Sequence, residues 1–279
     1  MLTYRSGSSK KEIILSGDKI KSRIKTAGFH EYEWEVDAVE RVIGSWVNGF
    51  RKKAKQYNLE IDFVGNRQER AESMNAFYEI TEKDVLELKP GRLILDEYYI
   101  ECFVIGAEVG KLDNQSRKVQ RKAKIYAPYP FWIHKKTYKF KKGNIGNQTE
   151  SFLDYPYNYE YDYMGNIKGV GRIENTEIAS CNFEAIIYGP VTNPRFIIND
   201  HVYEVKTKVD EGDYLVINSA DGEVVRMRKN GLQVNEFNNR NKSSSIFEKI
   251  APGSNLVSWN GEFGMDISVL AERGEPICK

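Results

Sequence analysis

Three histidines, His30, His134 and His201, are the natural candidates for proton transfer or metal ligation, but no two stand within four residues of each other. Metal-ligand spacing is therefore missing, and each reads as an ordinary surface or strand residue. Gly169-Val-Gly171-Arg-Ile-Glu174 opens like a dinucleotide fingerprint, yet it lacks the third glycine and a helix to receive a pyrophosphate, so a turn is expected there. No Walker-type loop and no Gly-X-Ser-X-Gly elbow occurs, and Gly253-Ser254 is an isolated pair in a turn. Glu160 and Asp162 could in principle flank a glycosidic bond, but forty acidic side chains supply such pairs in almost any fold. The expected catalytic, cofactor and metal sites are none.

Two clusters have the chemistry of binding instead. Tyr155, Tyr157, Tyr159, Tyr161 and Tyr163 alternate with polar residues, so an extended backbone would set all five rings on one face. Such a row buries ring area while its hydroxyls stay satisfied, which suits packing on another sheet or a subunit contact better than a sugar. Arg117, Lys118, Arg121, Lys122 and Lys124 form a basic cluster, either a solvated strand or loop or a docking site for an acidic neighbour.

Composition bounds the alternatives. The 279 residues carry 41 Lys and Arg against 40 Asp and Glu, a formal net charge of +1 that gives no general grip on nucleic-acid backbone. A 41% hydrophobic and 12% aromatic content is enough to build real cores, and the length suits about two domains. No stretch approaches the roughly 18 apolar residues of a membrane span, and the first residues lack a signal-peptide core, so neither insertion nor secretion is expected. Cys102, Cys181 and Cys278 have no framework spacing and read as free thiols of a reducing compartment. The two Asn-X-Ser/Thr triplets then carry no weight.

The elements that must position these groups are mostly strands. Tyr32 and Trp34 alternate with acidic residues over 29–36, which predicts a strand with one wet face. Residues 45–56 fit either a short helix or a twisted hairpin arm, and Leu59 to Val64 returns to strand periodicity. Asn66 and Glu69 make a capping-box pair ahead of an Ala71, Met74 and Phe77 or Tyr78 stripe, predicting a helix over 67–79. Lys89-Pro90-Gly91 is a turn before a buried hairpin through Ile105. Alternate prolines at 128 and 130 mark a joint, giving an N-terminal domain over 1–132 and a C-terminal domain over 133–279. In the second domain short strands, among them 180–188, 195–198, 203–206, 214–217, 224–229, 245–249, 256–259 and 265–269, alternate with turn signals, the pattern of a sandwich.

The order of several short motifs resembles the distal tail proteins of siphophages and related prophages. They are Tyr57-Asn-Leu-Glu-Ile-Asp-Phe63, Asp84-Val before Lys89-Pro-Gly91, Tyr126-Ala-Pro-Tyr-Pro-Phe-Trp132, Leu153-Asp-Tyr-Pro-Tyr-Asn-Tyr159, Phe183 to Pro194, Asn235 to Arg240, and Ile246 to Gly253 followed by Trp259. The resemblance spans nearly the whole chain. It implies a mainly β protein: a β-rich N-terminal domain with one covering helix, and a C-terminal galectin-like β-sandwich. It further implies a non-enzymatic homohexameric ring at the virion tail tip, assembled in the host cytoplasm, that joins the tail tube protein to a tail-tip or baseplate hub. In that family an arm of one subunit clasps the next by heterologous contacts that close a circle; residues 37–55 are the first candidate here and 106–124 the second. A galectin-like fold does not bring sugar binding with it. Asn193, Arg195, Asn235, Arg240 and Trp259 match the galactoside constellation only superficially, without its histidine, and the chain is too short to house an inserted carbohydrate module. The rival functions are a carbohydrate-binding sandwich recognising a host cell-wall polymer, which would use the tyrosine row, and a tail-associated hydrolase, which no motif supports.

Overall fold

A computed structural model describes residues 1–24, 27–113, 117–143 and 169–277. The chain divides into two compact units, Met1–His134 with Glu272–Lys279, and Lys135–Ala271. The mainly β content with one α-helix among the described residues agrees with the class read from the sequence.

In chain order the first unit holds β1 (Leu2–Arg5), β2 (Glu12–Ile14), β3 (Ile20–Arg23), β4 (Glu35–Glu40), β5 (Ser45–Arg51), β6 (Lys55–Val64), α1 (Arg67–Leu86), β7 (Gly91–Leu95), β8 (Tyr98–Asp113) and β9 (Lys118–Ala127); β10 (Trp132–Phe140) leads out of it. All the pairings are antiparallel. One run of strands is β2-β1-β7-β8, and β8 also pairs with β9, β9 with β6 and β6 with β3. Alternate residues of these strands, including Leu2, Tyr4, Leu59, Ile61, Phe63, Leu93, Ile100 and Ile125, form one buried cluster with Trp132 and Phe29.

The helix is seven residues longer than expected. Its start is the anticipated capping box: Asn66 accepts from the Glu69 N–H at 2.9 Å while Glu69 accepts from the Asn66 N–H at 2.9 Å. The apolar stripe runs on from Phe77 to Ile80, and the buried face continues through Thr81 and Asp84, polar residues that a hydrophobic reading discards. Of the two stripe candidates Phe77 is buried and Tyr78 exposed. The end is a Schellman arrangement, with Lys89 N–H on the Asp84 carbonyl at 3.0 Å and Leu88 N–H on the Val85 carbonyl at 3.2 Å. That geometry sets Leu88 at φ +53°, a conformation glycine adopts without strain.

Asp84 ties the helix end to the first strand. Fully buried, its carboxylate accepts from Tyr4 Oη at 2.8 Å, Ser6 Oγ at 2.6 Å, Ser8 N–H at 2.9 Å and Gly7 N–H at 3.3 Å. Burial alone would raise its pKa, but the hydrogen bonds from Ser6, Ser8 and Tyr4 outweigh burial and hold it below the ordinary aspartate value. Gly91 completes the node, since a Cβ there would collide with the Tyr4 ring and hydroxyl.

The second unit is a sandwich. Its strands are β11 (Gly169–Asn175), β12 (Asn182–Tyr188), β13 (Val191–Thr192), β14 (Arg195–Ile198), β15 (His201–Glu204), β16 (Lys208–Val209), β17 (Tyr214–Asn218), β18 (Glu223–Met227), β19 (Gln233–Asn235), β20 (Gly253–Trp259) and β21 (Met265–Arg273). One sheet runs β19-β18-β17-β12-β21-β10 and the other β11-β20-β14-β15. Phe183, Ala185, Ile187, Leu215, Ile217 and Ile267 of the first meet Ile173, Phe196, Ile198, Tyr203 and Val257 of the second in one core. Tyr203 stacks on Phe196 at 4.8 Å and takes Phe183 edge-on at 5.4 Å.

Several local expectations change. Gly169-Val-Gly171 lies in β11, not in a turn: a Cβ at Gly169 would fall 2.6 Å from the Trp259 ring, and one at Gly171 would strike Phe140. The glycines leave room for these aromatic rings against the strand backbone. Residues 245–249 are irregular, with Ile246 and Ile250 buried and no strand pairing beyond the bridge of Ile250 to Cys181. Of 29–36 only Glu35 and Val36 are in a strand, and Tyr32 and Trp34 are exposed.

Replacing Asp84 by alanine should lower unfolding free energy by about 3 kcal/mol, because four donors lose their acceptor, all of them buried or partly buried and all from one chain segment. Its pKa is lower folded than unfolded, so the wild-type advantage over the variant is full above roughly pH 5 and shrinks as pH falls below about 3.9. Denaturant titrations at several pH values check both. Leu88→Gly should raise stability by about 0.5–1 kcal/mol, read as a higher melting temperature.

Candidate functional site

The residues singled out from the sequence do not converge on one place. The tyrosine row 155–163 lies outside the described residues. The basic cluster sits on β9 and the turn before it, facing β6, whose carboxylates neutralise much of it. Glu60 stands opposite Lys122 in the register; Lys122 lies 3.7 Å from Glu60, Lys118 3.2 Å from Asp62 and Lys124 2.6 Å from Glu108. Arg23 of β3 adds a second cation to Glu60 and Asp62, at 3.4 Å each. These are cross-strand charge pairs of a wet sheet face. Arg117, at φ +50°, is exposed in the turn, and Arg121 has a buried Nε without a hydrogen-bond partner. The second arm candidate, 106–124, is thus largely the far end of the β8–β9 pair.

The first arm candidate, 37–55, is a hairpin unlike the rest of the fold. Among the described residues strands β4 and β5 pair only with each other, as β13 and β16 do, but no residue of β4 or β5 is buried. Val36 pairs with Phe50 and, past a bulge after Asp37, Ala38 with Val47 and Val39 with Trp46. Successive pairs point to opposite faces, so apolar groups sit on both. Val36, Val39, Val42, Ile43, Trp46, Val47 and Phe50 are all exposed, with Val42 and Ile43 at the tip wholly so. Contiguous exposed apolar surface of this kind marks an interaction site. Gly44, at φ +73°, turns the tip, and the Arg41 guanidinium stacks on Trp46 at 4.6 Å.

The root is charged and aromatic. Glu35 meets Arg51 at 3.0 Å and also pairs with Lys53, whose hydrogen bond is the main cause of the lowered Glu35 pKa. Lys52 Nζ lies 4.9 Å from the Trp34 ring centre, 4.8 Å from Phe131 and 5.3 Å from Tyr32. Tyr32, Glu35, Lys52 and Lys53 line a cleft of about 490 Å³ with Glu31, Glu33 and Pro130. Reading the sequence as a strand through Tyr32 and Trp34 missed this cage; the available signal was acidic residues interleaved with aromatics, facing the Arg51-Lys52-Lys53 run.

Among the described residues catalytic geometry is weak. His201 Nε2 lies 3.1 Å from Ser244 Oγ, but it also faces the Ser245 carbonyl at 2.6 Å, so that nitrogen carries the proton. Ser244 Oγ donates to the Val202 carbonyl at 2.7 Å, and the pair lacks a base to activate the hydroxyl. His134 packs on Tyr98 at 5.3 Å. Burial pushes the Cys102 thiol up to about 12, which keeps it protonated and inert. Among the described residues no group of three His, Cys, Asp or Glu side chains could hold a metal. Of the galactoside-like set, Trp259 is buried in the sandwich core with Nε1 donating to the Phe263 carbonyl at 3.0 Å, and Arg240 lies flat on Phe237 at 3.7 Å.

Replacing Val42, Ile43 and Trp46 together by serine should shift the unfolding free energy of the isolated chain by no more than about 0.5 kcal/mol per site, since none is buried. A loss of several kcal/mol in a denaturant titration would mean that the tip packs on its own chain.

The chain matches no family model and no curated protein sequence. Solved structures do resemble it along their full length. The SPP1 Dit protein matches with a TM-score of 0.56 at 9% identity, over 98% of this chain and 99% of its own. A chain of the phage P2 baseplate in its activated conformation with Ca matches with a TM-score of 0.63 at 11% identity, over 99% of each chain. The baseplate of phage p2 with Sr gives 0.58 at 12%, over 99% of this chain and 100% of that one. From end to end the chain has the Dit-like fold of phage tail proteins.

Proposed function

We propose that this chain is a structural distal tail protein of a siphophage or prophage, a non-enzyme that forms a hexameric ring and links the tail tube to the tail-tip or baseplate hub. The observation that carries the reading is the end-to-end likeness of both units to the SPP1 Dit protein, described as a paradigm of the hub adsorption apparatus in phages infecting Gram-positive bacteria, and to phage baseplate chains. Both units match, which favours a role shared with those proteins over a sandwich acting alone as a sugar binder.

The β4–β5 hairpin supports the reading from within. Its apolar groups lie on both faces and, among the described residues, its two backbone edges are unpaired, which suits cover by a different surface of the next copy. A contact between two unlike surfaces repeats until rotation closes a ring. The sandwich then remains available to adjoining tail proteins, at the tip of the virion.

Light scattering and electron microscopy test this directly. On concentration the wild-type chain should reach about six times its own mass and show six-fold rings, while the Val42, Ile43 and Trp46 triple serine variant stays monomeric with an unchanged melting temperature. A stable dimer that grows no further, or a triple variant that assembles as well as wild type, contradicts it.

A further inference from the structure

The hairpin root contains a cation site that the chain fills with its own lysine. Lys52 Nζ lies within 5.3 Å of three ring centres, Tyr32 and Trp34 from the segment entering β4, and Phe131 from the segment between β9 and β10. Trp34 and Phe131 also meet edge to face at 6.4 Å, and Phe131 leans on Tyr129 at 5.0 Å. Each ring face turned to the ammonium attracts it electrostatically, so the three contacts act together on one charge. Gly274 closes the far side, where a Cβ would collide with Lys52 Nζ and lie 3.3 Å from Tyr32 Cβ. One position later in the chain, Lys53 binds Glu35 instead, and Lys55 reaches back to the Glu31 and Gly28 carbonyls.

These contacts fall where a hinge would lie. Residues 31–34 and 52–54 have no strand pairing, while β4 and β5 on one side and β6 on the other are regular. A hairpin paired only with itself has no hydrogen-bonded ladder to fix its direction. Phe131 belongs to neither strand of the hairpin, so the Lys52–Phe131 contact joins the lever to the body of the first unit. Burial lowers the Lys52 pKa, in keeping with an ammonium drawn out of water into the rings.

We propose that Lys52, clamped by Tyr32, Trp34 and Phe131, is a latch that holds the β4–β5 hairpin in one direction before a second copy of the chain engages it. The inference rests on the reading of the hairpin as the intersubunit element, and it adds how that element is readied. A pre-set hairpin loses less freedom on association than a swinging one, so the latch strengthens assembly without touching the neighbour. Lys52 acts here as a positioning residue.

The test uses the full chain, with Cys278→Ser removing the third thiol and spin labels at Ile43→Cys on the hairpin tip and Glu101→Cys on β8. Pulsed dipolar distances are recorded on the dilute monomer, so the outcome is independent of whether rings form. Lys52→Met keeps the apolar stem and loses the charge; Phe131→Leu keeps an apolar group and loses the π face. Both should broaden the distance distribution at least about twofold and raise acrylamide quenching of tryptophan fluorescence, while Lys52→Arg, which retains a cation for the cage, stays near wild type. Equal widths for wild type, Lys52→Met and Phe131→Leu overturn the latch. Broadening in Lys52→Arg equal to that in Lys52→Met also overturns it, since a cation would then not be what matters. If the latch is present and ring formation is unaffected by every hairpin variant, the intersubunit reading fails while the latch stands.

Discussion

A β-strand in water has two debts: its backbone edges need partners and its apolar side chains need cover. Most strands pair within the larger sheets and send apolar side chains into a core. In the first unit alternate side chains enter one core, and in the sandwich two sheets face each other across Phe183, Tyr203 and Phe196. The hairpin β4–β5 fails on both counts: among the described residues it pairs only with itself and Val39, Trp46 and Phe50 are exposed, whereas the other two-stranded sheet, β13–β16, buries Val209 in the sandwich core. Two-stranded hairpins are marginal when isolated, so this one holds its shape through its root and through whatever covers it. That constraint is the physical basis of the proposed role in assembly.

The rest of the first unit is built to carry such a lever. Asp84 fastens the helix end to β1 by accepting four donors at once, and the Schellman turn that follows delivers the chain to Gly91 directly under Tyr4. The charged face of β6 and β9 is balanced within itself, Glu60 and Asp62 against Lys118, Lys122 and Arg23. A surface so neutralised offers little long-range pull, consistent with a chain whose net charge is +1. Selectivity for a partner would then come from shape and apolar fit.

What was legible in the sequence was local and one-dimensional. The capping box of Asn66 and Glu69 fixed the start of α1, and Lys89-Pro90-Gly91 marked the turn into β7, because each signal is contained within a few residues. Short strands between turns announced the sandwich. The errors arose where a residue's role depends on distant chain. Asp84 extends the buried face of α1 because β1 and the loop after it supply polar partners, while Thr81 returns its hydroxyl to the Phe77 and Tyr78 carbonyls. Gly169 and Gly171 are strand residues because Trp259 and Phe140 occupy their Cβ space. Tyr32 and Trp34 alternate as strand residues would, yet their rings surround Lys52. Alternation reports that two rings share a side; it does not say that the side is a core.

The most direct measurement is hydrogen exchange at residue resolution, compared between dilute chain and the concentrated or assembled state. The account predicts that the amides of β4 and β5 gain the largest protection on assembly, because their open edges and apolar faces become covered there. Gains confined to the sandwich, with the hairpin exchanging as fast as in the dilute chain, would contradict it.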